Sequence, residues 1–217
     1  MTAIRGYVPA TDRPGLGVHS VDHFVLAVPD LAPAQRFYSD FGLDVQAAGD
    51  ALGLKTAGHD QHWGVVVEGK RKKLHHLSFG CYSDDIVGLR LSDRSDRVAF
   101  MHAIHGSDHH ILAFAQSSGP GLHHCSWDMS GIDDIGLGAM HMAGKGYSEG
   151  WGLGRHVLGS NYFHYVRDPW GSYAEYSCDI DYIPAEQNWQ AGSHPPEDSF
   201  YLWGPEPPAD FALNREL

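Results

Sequence analysis

Short runs of alternating apolar and polar residues recur along this chain in a fixed order. SVDHFVLAV (20–28) reads as a strand with a histidine near its start. Pro29-Asp30 then introduces an amphipathic helix, LAPAQRFYSDF (31–41), which Gly42 ends. Three strand-like runs follow: LDVQAAG (43–49), ALGLKTAG (51–58) and HWGVVVEG (62–69). That is a βαβββ unit. KLHHLSFGCY (73–82) opens the next stretch with a second His-led strand, and GLRLSDR (88–94), VAFMHAIHG (98–106) and HHILAFAQ (109–116) continue it. A third His-led strand, GLHHCSWDM (121–129), runs into a helix, IDDIGLGAMHMAGKG (132–146), in which Asp133-Asp134 caps the first turn. GRHVLGSNYFHYVRDPWGSYAEY (154–176) reads as the closing β-hairpin. Beyond Asp179 the periodicity stops, and a segment rich in Pro, Trp, Tyr and Asp reads as an ordered tail with little regular structure.

The chain repeats itself. Asp50 to His76 can be laid over Asp96 to His124, each running strand, Asp-x-His, strand, polar turn, Leu-His-His. His62 then falls on His110, and His76 on His124. The middle breaks the pattern. Parallel strands need a crossover of about a dozen residues or more, yet only SDDIV separates GCY (80–82) from GLRL (88–91). The helix that precedes GLDV in the first unit has no counterpart before GLRL, so a central segment is missing. The resulting division is residues 18–82, an N-terminal module plus the first strand of a second; 88–183, an incomplete module (88–116) and a full one (121–178); and 184–217, a wrap-around tail.

Charge narrows the partners. The balance of 15 Lys+Arg against 27 Asp+Glu, net −12, disfavours nucleic acid and anionic membrane surfaces, which require basic patches. Lys70-Arg71-Lys72-Lys73, the single basic run, is expected to cap a turn. No apolar run is long enough to span a bilayer, and MTAIRGYVPATDRPG lacks the apolar core of a signal peptide, so a cytoplasmic location is expected. Cys81, Cys125 and Cys178 are not a disulfide framework. The 16 histidines raise the prior for a metal site.

A metal that must take both a substrate and a small co-substrate needs few protein ligands on one face and open positions opposite. Two His and one carboxylate meet that need for non-heme Fe(II) acting with O₂. His76 and His124 stand at equivalent points of repeated strands, and Glu175 lies just past the Asp168-Pro169-Trp170-Gly171 turn. An ordinary strand histidine and a solvent-facing glutamate are the plainer readings. Against the second, Glu175 sits among Tyr173, Ala174, Tyr176 and Cys178, a poor setting for an unpartnered carboxylate. His123 is expected to point away from His124, because strand side chains alternate, and to be structural or to support the site from behind a ligand. His141 and His164 are read as structural too, and the tail aromatics Trp189, Phe200, Tyr201 and Trp203 are expected to pack over the mouth of the barrel or to line one side of a substrate pocket.

Through DHHILAFA, GLHHCSWDMSGIDDIG and GLGRHVLGSNYFHYVRDPWGSYAEY the sequence resembles the type I extradiol ring-cleavage dioxygenases of the vicinal oxygen chelate superfamily. The resemblance is most specific over 98–178 and generic over 18–82. It implies an α+β fold of repeated βαβββ modules forming partly open β-barrels. It also implies cleavage of a catechol-type aromatic diol by O₂ with Fe(II), Mn(II) being an alternative, and a homo-oligomer as a possible assembly. Residue by residue, His124 matches the second metal ligand and Glu175 the carboxylate ligand. His110 matches the acid/base histidine, and His156 and Tyr165 the pair that hydrogen-bonds bound substrate. By position the first ligand is His76, with His23 next, unless it went with the missing segment. Two other readings compete: a glyoxalase-like isomerase or thiol transferase, and a non-catalytic aromatic-binding remnant. One geometric condition follows from the hairpin. Tyr165 and Glu175 share a face only across an odd-length connection or a bulge.

Overall fold

The computed structural model describes residues 18–81 and 88–217; residues 1–17 and the junction at 82–87, where the missing segment is expected, lie outside the described residues. The first unit is β1 (Val18–Val28), α1 (Leu31–Asp40), β2 (Asp44–Ala48), β3 (Ala51–Lys55) and β4 (Gly64–Glu68). β5 (Lys73–Cys81) adds to it, giving the sheet order β2-β3-β4-β1-β5 with β1 and β4 parallel. Asp30 caps α1, its Oδ1 accepting from the Ala32 N–H at 2.8 Å. The middle unit is β6 (Leu89–Arg94), β7 (Val98–Ala103), the two-residue β8 (Ser107–Asp108) and β9 (Leu112–Ala115). The last unit is β10 (His124–Asp128), α2 (Ile132–Gly144), β11 (Gly150–His156), β12 (Tyr162–Arg167) and β13 (Tyr173–Cys178).

The first and last units share one topology, the one the sequence predicts. In both, a helix follows the first strand and the final strand returns parallel to it: β4 beside β1, β13 beside β10. The middle unit has only the antiparallel β6, β7 and β9. Among the described residues no strand flanks β9 as β1 flanks β4, and Phe114 on that edge is 59% exposed. Among the described residues the middle unit thus lacks the first strand and helix that the other two units have. The tail adds β14 (Tyr182–Ile183) to β8, β15 (Gly192–Ser193) to β6 and β16 (Tyr201–Trp203) to β11.

One apolar core joins the first and last units. Phe24, Leu26 and Val28 of β1 meet Phe37 and Tyr38 of α1, Ile135 and Met142 of α2, and Tyr176 and Cys178 of β13. Phe41 stacks on Tyr176 at 4.0 Å between ring centroids, and the Tyr176 hydroxyl donates to the Phe41 carbonyl at 2.7 Å. Side chains buried this fully each contribute about 1.5–3 kcal/mol. Asp133 and Asp134 do not cap α2 by hydrogen bonding; its N-cap is Gly131, and the two acids sit in the first turn, where the helix dipole favours negative charge.

Candidate metal centre

Strand alternation sorts the last unit into a core side and a site side. On β13, Ala174, Tyr176 and Cys178 enter the shared core, while Tyr173 and Glu175 turn the other way. On β12, Val166 goes to the core, and Phe163 and Tyr165 to the site side, where they cluster with Trp151, Tyr173 and Phe211. On β10, Cys125 and Trp127 pack against the core, leaving His124 and Ser126 opposite. Tyr165 pairs directly with Glu175, and Arg167 with Tyr173, so residues 168–172 form an odd-length connection and the two side chains share a face. Asp168 shapes that connection by accepting from the Trp170 and Ser172 N–H groups, both at 2.9 Å.

The hydrogen bonds fix which nitrogens carry protons. His156 Nδ1 lies 2.8 Å from the Phe200 carbonyl, which can only accept, so Nδ1 is the donor and Nε2 of the neutral ring is a lone pair. That lone pair takes the Tyr165 hydroxyl at 3.1 Å. His123 Nε2 likewise donates to the Phe211 carbonyl at 2.5 Å. A neutral His123 then has only an acceptor at Nδ1, and His124 Nδ1, 2.7 Å away, must donate to it. His124 Nε2 is left as a lone pair, 3.4 Å from Glu175 Oε2. The other carboxylate oxygen, Oε1, is buried with no hydrogen-bond partner, and His156 Nε2 stands 3.8 Å from it.

Two electron-pair donors thus face one another across 3.4 Å, the carboxylate buried and the imidazole half-buried. Repulsion of this kind is relieved by a cation between them, and an outer hydrogen bond that fixes a ligand histidine's tautomer is the usual support of such a site. The shifts agree. Burial, reinforced by His123 and His156 and opposed by Glu175, holds His124 down to about 4. Burial works against ionised Glu175, and the carboxyl falls below its usual value only through donated protons and positive charge on the His156 and His124 side, charge that two neutral rings lack and that a cation between His124 and Glu175 would supply. Burial, then the nearby His109, brings His110 down to about 3, and Glu175, His156 and His124 all act on its charge. Burial and the Glu175 charge push the Tyr165 hydroxyl well up, so it stays a donor at neutral pH.

The structure therefore brings together His124, Glu175, His156 and Tyr165, with His110 in electrostatic reach. It does not bring His76 to them. His76 is exposed on β5 opposite Val25, its ring 5.6 Å from that of His23. Val25 and His23 alternate with Phe24 and Leu26, which point into the shared core, so that core stands between the His23/His76 pair and His124. Among the described residues no three His, Cys, Asp or Glu side chains form a metal-holding group. The donor set fits a divalent cation at two protein positions, and the third is not supplied by these residues. His109 and His110 lie in the bend between β8 and β9 rather than within a strand.

Sequence reasoning missed the supports. The Phe200 and Phe211 carbonyls belong to the tail, where backbone acceptors leave no sequence signal. It also missed Lys72: this side chain is buried in an ion pair with Glu216, Nζ to Oε1 3.1 Å, rather than capping a turn.

Comparison with known proteins bears on the family and the fold. The sequence profile of the Glyoxalase/Bleomycin resistance protein/Dioxygenase superfamily matches residues 20–176. Metapyrocatechase 2 of Cupriavidus necator is 38% identical over 312 positions, covering 98% of this chain and 97% of that protein. Because this chain has 217 residues, at least 95 of those 312 positions have no residue of it opposite them, and the high coverage of both proteins places those gaps internally. In fold, the chain matches an extradiol ring-cleaving dioxygenase from B. fuscum at TM-score 0.81, 14% identity, covering 96% of this chain and 85% of that one. It also matches the Mn(II)-bound glyoxalase of Novosphingobium aromaticivorans at TM-score 0.76, 19% identity, covering 91% and 94%. The chain belongs to the Glyoxalase/Bleomycin resistance protein/Dioxygenase superfamily and, within it, groups with the extradiol dioxygenases that its motifs resemble.

Proposed function

We propose that this protein carries an extradiol dioxygenase site in which His124 and Glu175 hold a divalent cation, Fe(II) by preference, and an aromatic diol binds beside it. The observation that carries the reading is the convergence of a lone-pair imidazole nitrogen and a buried carboxylate at 3.4 Å. When bound, the cation supplies Lewis acidity toward a chelating diol and a place for O₂.

This chain's own groups do the rest. Tyr165 donates from its hydroxyl and His156 Nε2 accepts, so the pair, 3.1 Å apart, orients one diol oxygen. His110, neutral and half-buried, accepts a hydroxyl proton at Nε2. Trp151, Phe163 and Phe211 give the aromatic ring an apolar wall and exclude water. The test is anaerobic loading with Fe(II), then oxygen uptake and a yellow ring-opened product on adding catechol.

A second reading has one observation in its favour. With His76 held away and no third ligand among the described residues, the site can bind an aromatic diol without turning it over. Iron-replete protein that binds catechol but consumes no oxygen would decide for it.

A further inference from the structure

Behind the site lies a buried polar chain that no step above uses. Asp93, on β6, is 6% exposed and His109 is 1% exposed. Asp93 Oδ2 meets His109 Nε2 at 2.9 Å, and His109 Nδ1 meets His110 Nδ1 at 3.0 Å. The tail locks both in place. The Gly192 N–H donates to Asp93 Oδ1 at 2.6 Å, and His194 Nε2 reaches the same oxygen at 3.1 Å. Trp189 donates its indole N–H to the Ser92 carbonyl at 2.6 Å and packs its ring against His109. Burial opposes the Asp93 charge, but the bonds from His109, Gly192 and His194 together hold the carboxyl below its ordinary value, so it is an acceptor.

We propose that Asp93 and His109 are positioning residues that set the tautomer of His110, an inference that rests on the proton-accepting role given to His110 above. The carboxylate takes the Nε2–H of His109. A neutral His109 then offers only a lone pair at Nδ1, and His110 Nδ1 must donate to it. The lone pair at His110 Nε2 is left for the substrate proton. Once that proton is taken up, the imidazolium keeps its Nδ1–H on His109, with Asp93 balancing the charge. The same logic runs through Phe211, His123 and His124, so the His109-His110 and His123-His124 doublets each use the first histidine to aim the second. Gly159 leaves room for this contact: at φ +87° it sits so close that a Cβ there would be 3.0 Å from His110 Cε1.

The test is ¹⁵N NMR of the full chain labelled at histidine, without added metal. His110 is expected with its proton on Nδ1. In Asp93→Asn the Gly192 N–H keeps the amide oxygen, the amide nitrogen faces His109 Nε2, and the proton of His110 moves to Nε2. A wild-type His110 protonated at Nε2, or an unchanged tautomer in Asp93→Asn, overturns the proposal. If the variant does not fold, the wild-type tautomer alone decides. With Fe(II) and catechol, Asp93→Asn is expected to lose about 10²-fold or more in kcat with KM within about twofold. A purely structural Asp93 would lower the folded fraction and leave kcat per folded site unchanged, which also overturns it. Wild-type protein that opens no catechol removes the proposed function, and the tautomer measurement then settles the relay independently.

Discussion

Replacing Lys72 by Met should unseat the tail. Lys72 and Glu216 side chains are 4% and 1% accessible, with Nζ 3.1 Å from Oε1. Nζ also donates to the Leu122 carbonyl at 3.2 Å and to the Ser172 hydroxyl, while Glu216 Oε2 accepts from the Leu74 N–H at 2.8 Å. In Lys72→Met the carboxylate keeps one neutral donor inside the protein. Removing one partner of a buried pair costs about 3–5 kcal/mol, because the remaining charge is uncompensated. For a chain of this size that corresponds to a Tm lower by roughly 6–20 °C. Undocking of the tail sets the upper limit, since Glu216 can escape to water by letting go. Urea and thermal unfolding, followed by tryptophan fluorescence, measure it. Lys72→Met/Glu216→Leu should recover at least half of the loss, as both charges leave together. A single-variant cost below about 1 kcal/mol, the range of an exposed pair, would refute the argument.

Three further outcomes are expected. Mn(II) at about 100 times its Kd should stabilise the protein by about 2.7 kcal/mol, and Glu175→Gln should abolish that shift, as thermal scans with and without metal will show. Tyr165→Phe should lower catechol turnover by about 10²-fold while changing unfolding free energy by no more than about 1.5 kcal/mol, because it removes a donor that the fold does not need. Stability should fall on acidification from about pH 6.5 toward 4. His124, held at about 4, and His110, at about 3, stay neutral in the folded protein while their unfolded counterparts take up protons. The slope is at most about 1.4 kcal/mol per pH unit for each, measured by urea unfolding across that range.

The repeat was legible because its cause is local. An apolar β1 with a histidine at its head, a capped α1 and three short strands are set by period and by turn residues, and β10 to β13 repeat them. Tyr165 facing Glu175 was legible as a condition on the turn, which the register meets. The partners of the site were not. His76 and His124 occupy equivalent places in sequence, but the core packs between the faces that carry them. That follows from which two units pair, and strand alternation within a unit says nothing about it. Asp93 carried a faint signal, an acid within the strand-like run GLRLSDR, whereas the carbonyls that fix His123 and His156 carried none.

Those two carbonyls separate the aim of the imidazoles from the shape of the wall around them. Phe200 points His156 through a main-chain oxygen, while its ring, 39% exposed, lies 6.3 Å from that of His156. Any residue that keeps the tail's path preserves the first property, so the contour beside the proposed site can be redrawn at this position by substitution without disturbing protonation inside.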